Sequence, residues 1–144
     1  MGKRNLKEKG AILELIFAAE CMQRNLRVSK PIVGDTLPYD LLVDNKDRIF
    51  KVQLKVATRD KKYHRKFWIN SHRKLPNSRA NEPSSTAQPY QKGEIDVIVS
   101  NPQGVWFFFA NCHSLPSCLT VYPSLPPDAR KWNFGKEDWG LLGI

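Results

Sequence analysis

The sequence predicts one domain of the α/β class, on three observations. A long segment near the N-terminus repeats its apolar residues at helical spacing. Several later segments alternate apolar and polar residues as strands do, with turn residues between them. The chain has 144 residues, the length of a single ordinary domain and enough to bury a core without disulfides or a structural metal.

Asn5 to Leu26 reads as the helix, with Asn5 as its N-cap and Glu8 three residues later completing a capping box. Ile12, Leu15, Ile16, Ala19 and Met22 recur at helical spacing and are expected to face the core. Glu14 has Ala11, Ala18 and Cys21 as helical neighbours, which places it on the shoulder of the buried stripe, whereas Glu20 sits beside Gln23 and Arg24 as a surface charge.

Strands are expected at Arg27–Val33, Tyr39–Val43, Arg48–Ala57 and Lys66–Ser71. The second and third form a hairpin around Asp44-Asn45-Lys46-Asp47. In the third, Phe50, Val52, Leu54 and Val56 occupy one face, and Ile49, Lys51, Gln53 and Lys55 the other. Glu94–Ser100 and Val105–Asn111 make a further hairpin around Asn101-Pro102-Gln103-Gly104. Arg73 to Lys92 is rich in Asn, Ser and Pro without an apolar period, and a loop of that length in a compact domain is functional or disordered. From Pro116 onward prolines interrupt the chain, and only Trp132–Leu142 offers another short helix. No internal repeat is visible.

Composition narrows the function. With 41% apolar and 26% charged residues the chain is neither disordered nor fibrous. Lys and Arg number 23 against 14 for Asp and Glu, a net charge of +9 that points to a polyanionic partner. The longest apolar run, Val105 to Ala110, is far too short to span a bilayer, so a membrane partner is not expected and nucleic acid is. No secretory signal is read at the basic N-terminus, and three cysteines, Cys21, Cys112 and Cys118, suit a reduced compartment. The expected location is the cytoplasm or whichever compartment holds the target nucleic acid.

The hairpin carries the chemistry. Gln53 and Lys55 emerge on one face of its second strand, and Asp40 on the adjacent strand reaches the same face. The Asp40 carboxylate, the Gln53 side-chain carbonyl and the main-chain carbonyl of Leu54 form an all-oxygen set that suits Mg²⁺, with Mn²⁺ as an expected substitute. Lys55 would orient a water or stabilise the charge that builds on a phosphorane-like transition state. Glu14 would reach in from the helix as a further ligand, directly or through water.

The order of helix carboxylate (Lys9-Gly10, then Glu14), strand aspartate in Leu37-Pro38-Tyr39-Asp40 and Gln53-Leu54-Lys55 resembles the PD-(D/E)XK nuclease superfamily. It is most similar to the small group I intron-encoded homing endonucleases of this type, in which glutamine replaces the usual acidic residue. The resemblance covers residues 8 to 111, leaving 112–144 as a C-terminal extension. It implies a central mixed β-sheet with flanking helices, the restriction-endonuclease-like core, and Mg²⁺-dependent hydrolysis of duplex DNA. A water attacks phosphorus and expels the 3′-oxygen, leaving a 5′-phosphate. Asp40 and Gln53 hold the metal, Lys55 assists the transition state and Glu14 supports the hydrated ion. One site cuts one strand, so a duplex cutter is at least a homodimer, and the homing likeness suggests a dimer of dimers. Gln53 departs from the superfamily at large, because an amide carbonyl brings no charge to the ion.

Basic residues crowd the segment after Lys55. Arg59, Lys61, Lys62, His64, Arg65, Lys66, His72, Arg73, Lys74 and Arg79 interleave with Tyr63, Phe67 and Trp68, as on a strand-and-loop surface docked on a duplex. Within this reading region, residues 59 to 92, Asn70, His72, Lys74, Asn77, Arg79, Asn81 and Gln88 are candidate base readers, while Arg and Lys contacts to phosphate set the register.

Other constellations carry less. Cys112-His113 with Cys118 lacks a fourth zinc ligand at sensible spacing, so buried thiols are expected. Asp96 is expected to be a structural carboxylate, and Trp106 to Phe109 core and subunit interface. No phosphate-binding loop, dinucleotide fingerprint or serine elbow occurs. The function read is a site-specific DNA endonuclease of the intron-homing kind. A Holliday-junction resolvase, a restriction enzyme and, from another class, a non-catalytic nucleic-acid-binding module are the alternatives.

Overall fold

Asn5 starts the fold: its backbone is extended and its side chain accepts the Glu8 N–H at 2.8 Å, satisfying one of the donors that a helix N-terminus leaves open. The computed structural model describes residues 5–34, 36–74 and 87–144. Helix α1 (Leu6–Gln23) ends where the Arg24 N–H turns back to the Cys21 and Met22 carbonyls and Asn25 takes a left-handed φ of 62°. The strands that follow are β1 (Arg27–Ser29), β2 (Leu41–Asp44), β3 (Ile49–Leu54), β4 (Thr58–Arg59), β5 (Phe67–Asn70), β6 (Arg73–Lys74), β7 (Ala87–Gln88), β8 (Val97–Ser100), β9 (Phe107–Phe109) and β10 (Cys118–Val121).

The central sheet runs β1-β2-β3-β8-β9. All its pairs are antiparallel except β3 with β8, where Gln53 lies beside Ile98. Asp96 sets that parallel register. Its N–H donates to the Lys51 carbonyl at 2.8 Å, Oδ2 accepts the Lys51 N–H at 2.8 Å and Oδ1 pairs with Arg48. Asp96 is therefore the structural carboxylate expected.

The sheet separates two apolar layers. On one face α1 packs Leu13, Phe17 and Cys21 against Val43, Val52, Val99 and Phe108. Trp106 and Trp139 complete this layer, their rings 5.4 and 6.1 Å from that of Phe17. On the other face Ile98, Phe107 and Phe109 meet Ile69, Leu119 and Val121 of a second antiparallel sheet, β10-β5-β4. The run from Trp106 to Phe109 thus feeds both layers alternately, as a strand buried on both faces must.

The fold class is the one expected, but among the described residues one α-helix covers one face of the central sheet and a second sheet covers the other, in place of flanking helices on both. The helix stripe differs from expectation. Leu15 is 72% and Met22 67% exposed, Ile16 and Ala19 are exposed too, and Ile12 is half-buried. The buried row is Leu13, Phe17, Cys21, because Phe17 stacks with tryptophans that arrive from far along the chain. The region after Pro116 also differs: β10 pairs with β5, and the expected helix is two short 3₁₀ turns, Asn133–Gly135 and Trp139–Leu142, in a stretch interrupted by Gly135 and Gly140.

Candidate active site

Three elements meet at the end of the β2–β3 hairpin. Leu41 stands opposite Val52, and the Asp40 N–H donates to the Val52 carbonyl at 2.9 Å, which holds Asp40 beside the end of β3. Asp40 Oδ2 accepts the Leu54 N–H at 2.9 Å. Gln53 is half-buried on the face it shares with Ile98, while the Leu54 side chain belongs to the layer under α1. Lys55 follows directly. Its N–H bonds the Val99 carbonyl at 2.9 Å and its carbonyl accepts Ser100 Oγ at 2.6 Å, so the backbone under the lysine is stitched to β8.

The Lys55 ammonium donates to the His72 carbonyl at 3.2 Å and lies 5.4 Å from the centre of the Tyr90 ring. Glu14, half-buried on α1, accepts Lys30 Nζ at 2.8 Å. The charges feel one another. Burial pushes the Asp40 carboxyl above its ordinary range; the Leu54 N–H opposes this, the Glu14 carboxylate adds to it, and Lys55 and Lys30 oppose it. Burial lowers the Lys55 ammonium from its ordinary value; Asp40 opposes the shift and Arg73 adds to it. Sequence reading placed Glu14, Asp40, Gln53, Leu54 and Lys55 in one site, and the structure brings them to one end of the hairpin.

Two neighbours went unread. Lys30, just past β1, fixes the Glu14 carboxylate, and Tyr90 forms a buried apolar wall beside Lys55. The available signal for Tyr90 was a lone aromatic inside the polar 73–92 segment.

The donor set fits a hard divalent cation. Asp40 Oδ2 is held by Leu54, and Oδ1 has no partner among the described residues. The Glu14 carboxylate adds to the raised Asp40 pKa from nearby, a repulsion of the kind a cation relieves, and Gln53 adds a neutral oxygen. Among the described residues no three His, Cys, Asp and Glu side chains cluster to hold a metal, so a cation here depends on oxygens of amide, carbonyl and water as well. The cysteines are unpaired, and burial pushes the Cys112 thiol up to about 11 and that of Cys21 up to about 12, as expected of inert thiols.

The basic segment divides. Lys61, Lys62 and Arg65 are exposed in the turn before β5, Arg59 lies on β4 against the Phe67 ring, and Lys66 lies 4.3 Å from the Trp68 ring centre. His72 and Arg73 face inward. The His72 ring reaches the Leu115 carbonyl at 3.1 Å, and Arg73 forms an ion pair with Glu94. Asn70 is exposed and its Oδ1 accepts the His72 N–H at 3.1 Å; Gln88 is exposed on β7, opposite Arg73 on β6, which Lys74 ends. Asn77, Arg79 and Asn81 lie outside the described residues. No helix among the described residues is long and apolar enough to cross a membrane.

A helix carboxylate, a strand aspartate and a strand Gln-x-Lys on a mixed sheet are the parts of one nuclease class. The chain belongs to the PD-(D/E)XK endonuclease family, whose model matches residues 4–113. Among solved structures it is similar to a bacterial homing endonuclease, I-Ssp6803I, at a TM-score of 0.79 and 24% identity, over 96% of this chain and 93% of that one. The two share a fold. No curated protein matches the chain.

Proposed function

We propose that this nuclease is a site-specific DNA endonuclease that hydrolyses duplex DNA with Mg²⁺, works as a homodimer or a dimer of dimers, and serves intron homing. The observation that carries the chemistry is the half-buried pair at the hairpin end: Asp40 fixed by the Leu54 N–H, with the Lys55 ammonium in its field. Gln53 in the place of the usual acid, and the likeness to I-Ssp6803I, support the homing assignment.

Asp40, Gln53, the Leu54 carbonyl and Glu14 would hold the ion. When bound, Mg²⁺ supplies Lewis-acid stabilisation of the charge that develops on the phosphate and polarises the attacking water. The protein supplies the rest. Leu54 aims one Asp40 oxygen and leaves the other for the cation. Lys55, partly stripped of water and braced by the His72 carbonyl, offers a fixed positive charge for the phosphorane-like transition state and for the departing 3′-oxygen. Tyr90 walls off that ammonium.

Supercoiled plasmids carrying candidate sites, incubated with Mg²⁺ or with EDTA, test the proposal. Linear product with Mg²⁺ alone, lost in Lys55→Met while duplex binding stays within a few-fold, is the expected outcome. Cleavage by purified Lys55→Met at the parent rate would remove Lys55 from the chemistry. Binding without cleavage by the parent would leave a non-catalytic DNA-binding module.

A further inference from the structure

In the second sheet β5 and β10 pair so that Phe67 stands opposite Val121. The turn entering β5 and the loop leaving β10 therefore emerge at the same end of the second sheet. Between them lies an open cleft of about 700 Å³ in which Lys62, Arg65 and Lys66 face Arg130, with Tyr63 and Tyr122 as its rings and, among the described residues, no acidic residue on its walls. The Arg130 guanidinium is 5.2 Å from the Tyr122 ring centre, and Lys62 and Lys66 are 5.5 and 5.8 Å from that of Tyr63. Arg130 is exposed and Tyr63 is 57% exposed, so cations and hydroxyls present themselves to solvent.

Both walls are built rather than incidental. Asn133 is fully buried; it accepts the Tyr122 N–H at 2.8 Å and donates to the Tyr122, Leu125 and Pro126 carbonyls at 2.9, 3.2 and 3.1 Å. Lys136 adds a bond to the Leu125 carbonyl at 3.0 Å. On the other side Asp60 accepts the Lys62 and Tyr63 N–H groups and the Trp68 indole, all within 2.9 Å. Cations on pre-shaped loops lose little freedom on meeting an anion.

We infer that this cleft is a second DNA contact, a clamp on the phosphate backbone of the duplex away from the cut; the inference rests on the DNA-endonuclease reading above. Lysine, arginine and tyrosine hydroxyl are the donors that position a backbone without reading bases. Lys66 and His72, whose carbonyl meets Lys55, are separated by at most roughly 20 Å of extended chain, which a DNA strand covers in about six nucleotides. The clamp gives the 112–144 extension, outside the catalytic hairpin, a task in setting register.

Binding of a random duplex of about 30 base pairs, titrated against salt in EDTA, tests this with Arg130→Gln and, as a control of equal charge change outside the cleft, Lys131→Gln. Arg130→Gln is expected to weaken binding about 5- to 10-fold at low salt and to lower the slope of log affinity against log salt by about 0.9, with Arg130→Lys near the parent and Lys131→Gln within about twofold. Equal effects from Arg130→Gln and Lys131→Gln, or no effect from either, overturn the clamp and leave only net charge. A parent without salt-dependent duplex binding overturns the DNA reading itself, a result distinct from parent binding that Arg130 does not alter.

Discussion

Asp40 is joined twice to β3: its carboxylate accepts the Leu54 N–H at 2.9 Å and its own N–H bonds the Val52 carbonyl at 2.9 Å. The acid of the site is thus anchored to the strand that carries Gln53 and Lys55, and its position does not depend on a flexible side chain. That position costs stability. Burial raises the folded pKa of Asp40 above its unfolded value, so the contribution of this group is complete at pH below the ordinary carboxyl range and falls away as pH rises through the raised value.

Asp40→Asn keeps an acceptor for Leu54 and removes the half-buried charge. It is expected to abolish cleavage while melting no lower than the parent in EDTA at neutral pH. The melting-temperature gap should close as pH falls below the ordinary carboxyl range. A variant that melts well below the parent at pH 7 would show that the charge, not the hydrogen bond, holds the hairpin end together.

Lys55 has the opposite sign. Burial lowers its folded pKa below the unfolded value, so its ammonium costs stability at neutral pH, and that cost fades as pH rises from the folded value to the unfolded one. Lys55→Met should therefore melt above the parent in EDTA at pH 7, with the gap shrinking toward pH 10, while cleavage falls by about 10²–10³-fold or more. The alkaline limb of the parent's pH–rate profile should lie below that of an exposed lysine. Equal melting curves for the two proteins at pH 7 would mean that Lys55 is better solvated than its surroundings indicate.

The placement of the candidate site residues is more legible in the sequence than the packing. Period-two alternation across Phe50, Val52 and Leu54 was enough to put Gln53 and Lys55 on the opposite face, and Asp96 and the Asn5 cap stood where short-range patterns placed them. The α1 stripe departs from the expected one because two apolar rows lie one residue apart on that helix. Only Trp106 and Trp139, distant in sequence, select the Phe17 row. Strand β10 hid behind prolines, since a strand that short is recognisable only beside its partner β5. The inward turn of His72 and Arg73 depends on Leu115 and Glu94, which no local pattern links to them.

Asn133 is the keystone of the C-terminal loop. Its buried amide exchanges bonds with both main-chain groups of Tyr122 and also holds the Leu125 and Pro126 carbonyls. Asn133→Ala leaves several of these groups unmatched in a dry site, at an expected cost of about 2–4 kcal/mol in urea unfolding. Asn133→Asp keeps one acceptor, loses the donors and should be no better. A loss below about 0.5 kcal/mol for the alanine variant would mean that water replaces the amide without penalty.

The last prediction concerns the ion. In the proposed site the hairpin would offer one carboxylate, Asp40, and a neutral amide, Gln53; the second negative charge would come from Glu14, which Lys30 holds at 2.8 Å. Gln53→Glu adds a charged hard ligand, so Mg²⁺ should bind more tightly, measured by calorimetry or by the metal dependence of cleavage. Turnover should stay level or fall, because a third carboxylate pushes its neighbours' pKa values further up and Lys55 then faces more negative charge. Glu14→Gln should act the other way. It removes one of two carboxylates near the ion, so cleavage should drop sharply and need more Mg²⁺. It also removes one of the causes that raise the Asp40 pKa, so the acid limb of metal binding should move to lower pH even as affinity falls. That pairing separates an electrostatic role at the cation from a folding defect, which would weaken binding without moving the limb. If Glu14→Gln cuts as well as the parent at every Mg²⁺ concentration, Glu14 serves only its bond to Lys30, and the site is confined to the hairpin.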